Sequence, residues 1–447
     1  MYVWEHPDWP RWGVDSGRLL ALCSGFAERR GRLFGRLGSL GIELVAGHQA
    51  EVLADDATST ARLEGEGLPL GPLWSSIAGR VGLEGGWVGG PGSGRRDGRV
   101  EGLLEVLEDA SRNGGEPLSH GRLYRWHRWL FEGGSGGRQL ERIGAYRGGA
   151  IEVLSGSIGK PRVHFRAPPA ERVQAEMERF LDWWNGSRDQ DPALTAGLAH
   201  LWFETIHPFE DGNGRIGRAI ADLTLARADG RPRRAFSLSR QILEDQAEYY
   251  RALEAAQRVE LDVGSSIDRH ALEGAQADPD PAGREPAGQE PVRRGRVGRA
   301  SATWAAADQA LSNRDAAGDS GPRAALDATP WLEWFVGCLS RAVGHAEQSL
   351  QRASLRHQLG RQAGRLELNP RQLKVLERLI EAEPQGLTGD LTNRKYRSLT
   401  GASDTSASRD LRELLGKGLL SPTNARGRST AYRLNPAGLA ADARSVE

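Results

Sequence analysis

One stretch of the sequence, from His207 to Arg218, combines the residue types that transfer phosphate-containing groups. It reads HPFEDGNGRIGR. Its imidazole can accept a proton, the carboxylate of Asp211 can hold a divalent cation, and its two arginines face one side of a helix, where they can bind phosphate oxygens. Its glycines let backbone N–H groups converge on an anion at a helix N-terminus. This combination predicts phosphoryl or nucleotidyl transfer.

Two helices must position this stretch. The first is predicted over 192–206 and ends at His207, because Pro208 cannot continue it. The residues Asp211–Gly214 then form a turn that leads into a second helix, predicted over 214–229. The base therefore lies at the end of one helix and the phosphate-binding amides at the start of the next.

Hydrophobic residues recur at helical spacing through most of the chain, which predicts a mainly α fold. Further helices before residue 262 are predicted at 99–111, 118–132, 170–185 and 239–258. Short β-prone pieces on either side of SGSIGKP depart from this pattern and predict a hairpin. They are Ile151, Val153, Val163 and Phe165. A hairpin on a helical body is better explained as a flap over a site than as core structure.

Two further features have simpler interpretations. His200 lies seven residues before His207 on the same helix, but no third metal ligand is apparent, so a packed or surface histidine is favoured over a metal pair. Trp183 and Trp184 are expected in the core rather than as a platform for a nucleotide base.

The stretch HPFEDGNGRIGR matches the Fic motif, HPFx(D/E)GNGRxxR, at every specified position. A chance match in a chain of this length has a probability on the order of one in 10⁹. From this motif the chain is identified as similar to Fic proteins. The resemblance implies a helical Fic fold with a β-hairpin flap. It also implies an enzyme that transfers AMP from Mg²⁺-bound ATP to a Ser, Thr or Tyr hydroxyl of a target protein or of itself.

The resemblance also assigns roles to individual residues. His207 would deprotonate the target hydroxyl, with Asn213 as the second catalytic residue, while Phe209 would anchor the loop and Asp211 would hold Mg²⁺. The residues expected to bind ATP and its phosphates are Gly212, Asn213, Gly214, Arg215, Arg218, Tyr249 and Tyr250. The flap at 152–165 would align the target segment by adding a strand to it.

An upstream segment resembles the Fic inhibitory motif, (S/T)xxxE(G/N). It runs from Thr60 through Glu64 to Gly65, and the first two of these residues lie one helical turn apart on one face. In the family the glutamate pairs with the second motif arginine, here Arg218, and blocks productive binding of the γ-phosphate. The resemblance therefore implies autoinhibition. The alternative interpretation of Glu64 is a solvated carboxylate at a helix end.

The pattern predicts five parts. They are an N-terminal helical module with the inhibitory motif and a Gly-rich linker at 1–98, the Fic catalytic domain at 99–262, a disordered insertion at 263–328, a helical extension at 329–365 and a winged helix-turn-helix at 366–447. The N-terminal part resembles the module that precedes many bacterial Fic domains. The insertion is predicted to be disordered because it contains few large apolar residues.

The last part follows the order helix, turn, helix, hairpin of a winged helix-turn-helix. Its helices are predicted at 370–381, 391–398 and 404–417, followed by a two-stranded wing. Arginines at 409 and 412 on the second helix of the motif, and at 426 and 428 on the wing, suit contacts with DNA phosphates. These residues are Arg409, Arg412, Arg426 and Arg428. Winged helices also bind proteins, so DNA and protein remain alternative partners.

Composition excludes several function classes. The chain of 447 residues carries 59 basic and 59 acidic residues, so its overall charge identifies no partner, and any nucleic-acid signal must be local. Cys23 and Cys338 are too few for a disulfide framework. No signal peptide or apolar stretch of about 20 residues is apparent, so a cytoplasmic protein without membrane contact is expected. Homodimerisation is expected from the resemblance. Two other functions remain open: a nucleotide-sensing DNA-binding regulator, and a deAMPylase that uses the same site.

Overall fold

The computed structural model is mainly helical, as predicted. It describes residues 1–82, 96–133, 140–155, 162–188, 190–230, 234–259, 326–383, 386–387, 390–423 and 430–440. Most of the predicted Gly-rich linker, the tip of the predicted flap and the part of the predicted insertion before residue 326 lie outside these residues. None of the helices in the described ranges is long and apolar enough to cross a membrane.

The N-terminal module is helical, as the periodicity indicates, and its described residues contain three α-helices. They are α1 (Ser16–Gly38), α2 (Ile42–Leu63) and α3 (Leu70–Val81). Helix α1 is capped by the preceding Asp15, whose carboxylate accepts hydrogen bonds from the first free amides of the helix. Helix α2 is buried along most of its length and ends beside the candidate site, so it brings the predicted inhibitory motif to the Fic motif.

The middle of the chain contains helices α4 to α10. Their bounds are α4 (Gly98–Arg112), α5 (His120–Glu132), α6 (Ala170–Gly186), α7 (Pro192–Ile206), α8 (Asn213–Asp229), α9 (Leu238–Glu244) and α10 (Gln246–Ala256). The first five match the predicted spans to within one or two residues. Helix α7 is buried on nearly all sides, which is the signature of a central helix. It packs against α8, and the two hydrophobic cores of this region meet at this pair.

The prediction of one helix at 239–258 is wrong, because the helix is interrupted at Asp245. This residue has a non-helical backbone, with φ −99° and ψ 24°. Its carboxylate accepts a hydrogen bond from Gln241 at 2.8 Å and another from Arg341 at 2.7 Å. The break at Asp245 divides the predicted helix into two short helices, α9 and α10.

The predicted hairpin is present. Strand β1 (Glu152–Ser155) pairs antiparallel with β2 (Arg162–Arg166), and Val153 lies opposite Phe165. One further hydrogen bond extends the ladder at the open ends of the two strands, where the amide of Ala167 donates to the carbonyl of Ile151 at 3.1 Å. Residues 156–161 at the tip are outside the described residues.

The start of the chain holds this hairpin in place. The ring of Tyr2 contacts Phe165 edge-on, with centroids 5.4 Å apart, and the indole of Trp4 donates to the carbonyl of Arg166 at 2.7 Å. The indole of Trp9 donates to Glu176 of α6 at 2.9 Å. The aromatic residues of the N-terminus therefore connect the hairpin to the helical body.

The prediction that 263–328 is disordered is wrong for its last three residues. Leu326 is buried in the core, and its carbonyl accepts from the amide of Gly13 at 2.7 Å. The amide of Ala328 donates back to Gly13 at 3.0 Å. A buried leucine and pairing with the N-terminal segment order these residues; the remainder of the insertion lies outside the described residues.

A long helix, α11 (Thr329–Ala363), connects the two halves of the protein. It packs on α1, α7 and α9, and its last turns pack on the C-terminal helices. Those elements are α12 (Pro370–Glu381), α13 (Asn393–Thr400), α14 (Asp404–Gly416) and α15 (Pro436–Ala440), with strands β3 (Leu391–Thr392), β4 (Leu420–Pro422) and β5 (Ala431–Leu434). The strand order is β3-β5-β4. The third strand, β3, is an addition to the predicted two-stranded wing; it is only two residues long and carries little sequence signal.

Candidate active site

His207 lies at the C-terminus of α7 in a left-handed backbone conformation, with φ 50° and ψ 59°. Its amide donates to Phe203 at 2.9 Å, and the following Pro208 ends the helix. The imidazole is 16% exposed, so it faces an opening of the core. Its Nδ1 atom lies 3.3 Å from the carbonyl oxygen of Glu204, which favours a proton on Nδ1 and leaves Nε2 as the acceptor.

The electrostatic surroundings keep this imidazole neutral. Burial, followed by the nearby Arg147 guanidinium, lowers the pKa of His207 to about 4. The Glu204 carbonyl and the carboxylates of Glu64 and Asp211 act in the opposite direction, but less strongly. A neutral histidine with a free Nε2 can accept a proton near neutral pH, as a general base must.

The loop after His207 is fixed by Phe209 and Asn213. The ring of Phe209 is fully buried and stacks on His127, with centroids 4.3 Å apart. The Asn213 side chain accepts from the amide of Phe209 at 2.9 Å and donates to its carbonyl at 2.8 Å. Asn213 thus braces the loop through its side chain; its predicted catalytic role stays a prediction.

The N-terminus of α8 forms the floor of the site. It begins after Gly212, whose φ of 82° is in the left-handed region that favours glycine. The amide of this glycine donates to Asp211 at 2.6 Å. The guanidinium of Arg215 lies over the ring of Phe131 at 5.0 Å and 3.5 Å from the Asp211 carboxylate. Because the first amides of a helix lack intrahelical partners, this end of α8 can bind an anion.

The predicted inhibitory residues meet the second arginine of the motif. Arg218 is buried and donates to the hydroxyl of Thr60 at 2.9 Å and to the carboxylate of Glu64 at 2.8 Å. Glu64 directly follows Leu63, the last residue of α2, and Gly65 comes next with φ 73°. This left-handed glycine turns the chain away immediately after the carboxylate.

The Glu64 carboxylate also lies against the start of α8. A Cβ atom at Gly214 would be 2.4 Å from its Oε1 atom and 3.0 Å from the Arg218 guanidinium. Glycine at this position therefore leaves room for an oxyanion beside the helix N-terminus. In this structure the oxyanion is a carboxylate, which stands where the chemistry of the site would suit a phosphate group.

A second acid from the same segment was not predicted. The carboxylate of Glu66 lies 3.4 Å from the guanidinium of Arg215. Both arginines of the motif therefore face an acidic residue of the N-terminal module. The available signal was the acid two residues after Glu64 in STARLEGEG, which the inhibitory motif does not include.

A buried polar cluster underlies the site. Burial raises the pKa of Glu204 to about 8, and its Oε1 atom would be 2.8 Å from a Cβ at Gly217. His200 is buried, stacks on Trp331 and faces the hydroxyl of Tyr249 at 2.9 Å. His200, expected to be a packed or surface residue, is packed in the core, and Glu204 is a site residue that sequence reasoning missed.

The other predicted residues have these positions. Tyr249 and Tyr250 are both buried, at 3% and 8% exposure, and their contact with a nucleotide base stays a prediction. Trp184 is fully buried, as expected for a core residue. Arg409 and Arg412 are exposed on α14. Arg426 and Arg428 lie outside the described residues.

The site fits a magnesium ion held jointly with a nucleotide. Among the described residues, no three His, Cys, Asp or Glu side chains converge as a metal-binding group. Mg²⁺ is commonly held by one or two carboxylates together with substrate phosphates and water. Asp211, 12% exposed beside the anion-binding end of α8, can supply that single carboxylate.

Comparison with known families locates the site within a defined domain. Residues 117–225 match the model of the Fic/DOC family, and residues 2–83 match the model of a domain of unknown function, DUF4172. Among curated proteins, the chain is 32% identical over 114 residues to protein adenylyltransferase fic-1 of Caenorhabditis elegans, covering 24% of this chain and 21% of that protein. It is 28% identical over 126 residues to a uridine 5′-monophosphate transferase of Xanthomonas campestris, covering 25% and 22%.

The chain thus spans about a fifth of the length of these curated relatives. Among solved structures, a Fic family protein from Desulfovibrio desulfuricans is 19% identical, with 93% of this chain and 96% of that chain covered and a TM-score of 0.43. The family match includes His207 and Arg218 and every element between them. Residues 117–225 of this chain are therefore a Fic domain.

Proposed function

We propose that this chain is an autoinhibited protein adenylyltransferase, which transfers AMP from ATP to a hydroxyl group of a target protein or of itself. The observation that carries the proposal is the contact between Glu64 and Arg218 at 2.8 Å, beside the N-terminus of α8. It connects a phosphate-binding helix end, a neutral histidine and an internal acid in one site.

The nucleotide phosphates would bind at the start of α8. The free amides and the partial positive charge of the helix end favour anions there. Arg215 would bind the α- and β-phosphates and Arg218 the γ-phosphate, with the glycines at 212 and 214 allowing close approach. Asp211 would hold Mg²⁺, which would neutralise phosphate charge and orient the leaving group.

The reaction is a displacement at the α-phosphorus. The Nε2 atom of His207 accepts the proton of the target hydroxyl as its oxygen bonds to that phosphorus. The bond from the α-phosphorus to the bridging oxygen breaks, and pyrophosphate leaves with the electron pair. The products are an AMP ester of the target and pyrophosphate, and His207 then returns its proton to solvent.

Glu64 would hold this reaction off. With its carboxylate on Arg218, the γ-phosphate meets a negative charge in place of an available guanidinium. ATP would then bind with its γ-phosphate displaced, and the α-phosphorus would no longer be in line with the attacking oxygen. A displacement of about 1 Å at the reacting atoms can cost roughly 100-fold in rate.

The flap would present the target. A hairpin with an open edge can add a strand of the target protein, which brings a hydroxyl side chain next to His207. The contacts of Tyr2 and Trp4 with the hairpin support a fixed position for its base.

Two alternatives concern the same site. The Xanthomonas relative is a uridine 5′-monophosphate transferase, so UTP in place of ATP is the first alternative to test. The second is deAMPylation, in which Glu64 would position a water molecule for hydrolysis of an AMP ester. A DNA-binding regulator is favoured only by the exposed Arg409 and Arg412, which a protein-binding surface would also explain.

The test is transfer of label from ATP labelled at the α-phosphate. The proteins are wild type, Glu64→Gly, and Glu64→Gly combined with His207→Ala. The matched control is Glu43→Gly, which removes an acidic residue from the other end of α2. The same series is run with α-labelled UTP.

Label on protein with Glu64→Gly, little with wild type and Glu43→Gly, and none with the double variant would support an adenylyltransferase restrained by Glu64. Label transferred from UTP and not from ATP would show that the transferred group is UMP and not AMP. No label from either nucleotide, with nucleotide binding verified by calorimetry, would contradict transfer and direct the next assay to AMP-ester hydrolysis.

A further inference from the structure

Arg147 is a buried arginine next to the turn at His207 that follows α7. Its side chain is 3% exposed. Its Nε atom donates to the carbonyl of His207 at 2.8 Å and its terminal nitrogen to the carbonyl of Ile206 at 3.3 Å. Its own amide donates to Pro208 at 2.9 Å. Arg147 thus binds three successive carbonyls at the end of α7.

The same guanidinium binds both ends of the flap. It donates to the carbonyl of Gly149 at 2.7 Å, before β1, and to that of Pro168 at 2.6 Å, after β2. One side chain therefore connects the two chain segments that carry the flap to the segment that carries His207. A planar guanidinium with five donors can make these bonds together, whereas an ammonium group has three.

The backbone carbonyls around the Arg147 guanidinium explain how its positive charge can be buried. Arg147 bonds to carbonyls rather than to a carboxylate, and burial lowers its pKa to about 10, so it remains charged near neutral pH. The end of a helix carries a partial negative charge on its free carbonyls, which stabilises a cation. The left-handed turn at His207 leaves such carbonyls at the end of α7, and Arg147 satisfies them.

We propose that Arg147 is a positioning residue that holds His207 and the base of the flap in one fixed relation, so that the general base faces the hydroxyl of a target aligned by the flap. This proposal rests on the transfer activity proposed above. It predicts that Arg147 acts on the rate of transfer, and not on ATP binding, because its donors are used on the backbone and not on phosphates.

The charged and titratable groups around His207 decide what each substitution does. Glu204 faces it from α7, Glu64 from the end of α2, Asp211 from the following loop, and Arg147 from the segment before the flap. Arg147→Gln removes both the one positive charge of this set and the planar group of N–H donors. Arg147→Lys keeps the positive charge and removes the planar group of donors. Comparison of the two separates charge from geometry.

The matched control is Arg227→Gln. Arg227 donates to the carbonyl of Trp184 at 2.8 Å, near the end of α6, and thus satisfies a helix end as Arg147 does. It lies at the far end of α8, roughly 20 Å of helix from the N-terminus that forms the site. A purely structural role would give this variant and the Arg147 variants similar properties.

Transfer is measured in the Glu64→Gly background, with the folded fraction of each variant determined from thermal unfolding. We expect both Arg147 variants to lower kcat by roughly 10- to 100-fold with KM for ATP changed less than about twofold. We expect Arg227→Gln to leave kcat per folded molecule unchanged. An equal loss in the Arg227 variant, or no loss of kcat in either Arg147 variant, would overturn the proposal.

A second measurement needs no activity. The imidazole of His207 is titrated by NMR without nucleotide or metal, its signal assigned by its loss in His207→Ala. We expect Arg147→Gln to raise the midpoint by about one pH unit and Arg147→Lys to leave it near that of the parent. An unchanged midpoint in Arg147→Gln would count against the assigned position. Absence of transfer in the parent, with the expected NMR shifts, would contradict the proposed function while supporting the position of Arg147 beside His207.

Discussion

The carboxylate of Glu66 lies 3.4 Å from the guanidinium of Arg215, two residues along the chain from the carboxylate that pairs with Arg218. One short turn after α2 thus presents an acid to each arginine of the Fic motif. The two contacts differ in their distance, in the exposure of the acid and in the additional hydrogen bonds of the arginine. Arg218 also donates to the Thr60 hydroxyl, whereas Glu66 is 25% exposed and its contact with Arg215 is long. Glu66 should therefore contribute less than Glu64 to inhibition.

We expect Glu66→Gln to raise the affinity for ATP by about two- to fivefold in the Glu64→Gly background, since partly exposed ion pairs contribute up to about 1 kcal/mol. The measurement is calorimetric titration with Mg·ATP. The control is Glu28→Gln, which removes an acid from an exposed ion pair with Arg32 on α1. Equal affinities of the Glu66 variant and its parent would show that this contact has no inhibitory role.

The pH dependence of transfer should reflect the low pKa of His207. Because burial and Arg147 lower the pKa of His207 to about 4, the base stays neutral at pH values where an ordinary histidine is protonated. In Glu64→Gly we expect kcat to decline only below about pH 5, since removal of the Glu64 charge lowers this pKa further. Initial rates between pH 4.5 and 8, with folding monitored by circular dichroism, check this. A midpoint at or above 6.5 in a folded protein would contradict it.

Glu204 should make stability depend on pH in the opposite direction from an ordinary carboxylate. Its pKa is raised from 4.5 to about 8 by burial, so the folded state binds the proton more tightly than the unfolded state. Its contribution to the free energy of unfolding is fully present below pH 4.5 and is lost as the pH rises through about 8. We expect the Tm of wild type to fall about 2–4 °C more than that of Glu204→Gln between pH 6 and 9.

The control for this measurement is Glu178→Gln, since Glu178 is exposed on α6. The plot of Tm against pH for this variant should run parallel to that of wild type between pH 6 and 9. Parallel curves for Glu204→Gln and wild type would mean that Glu204 is ionised in the folded protein at neutral pH.

Two glycine substitutions should have opposite effects on stability. A Cβ at Gly102 would lie 1.8 Å from the backbone oxygen of Trp129, so α4 and α5 could not keep their packing. We expect Gly102→Ala to destabilise by about 3–5 kcal/mol. Gly31 lies on α1 with no atom within 4 Å of an added Cβ. Gly31→Ala should stabilise by about 0.5–1 kcal/mol. Urea unfolding measures both, and a mild effect at Gly102 would refute the close approach of the two helices.

Local patterns were sufficient to predict much of this structure. Helix α12 has the predicted bounds, since Asn369 and Pro370 at its start are strong helix signals. The pairing of Val153 with Phe165 likewise follows from short β-prone pieces about a turn. Within the site, His207 and Arg218 were predicted because a dense motif contains both.

The remainder depended on contacts between distant segments. Arg147 belongs to no motif, and its importance follows from carbonyls that lie about 60 residues away along the chain. Glu204 looks like any helical glutamate until its burial is known. Asp245 lies at the break in a predicted helix, and its carboxylate binds Arg341, almost a hundred residues later. Sequence spacing carries no information about such partners.

The left-handed backbone of His207 has a consequence for how this protein can change over generations. A non-glycine residue in that conformation costs on the order of 1 kcal/mol, which glycine does not incur. A substitution to glycine therefore ends the chemistry and relaxes the backbone at the same time. The backbone conformation at position 207 therefore favours glycine over histidine, so the imidazole there is explained by the transfer reaction proposed above and not by local conformational preference.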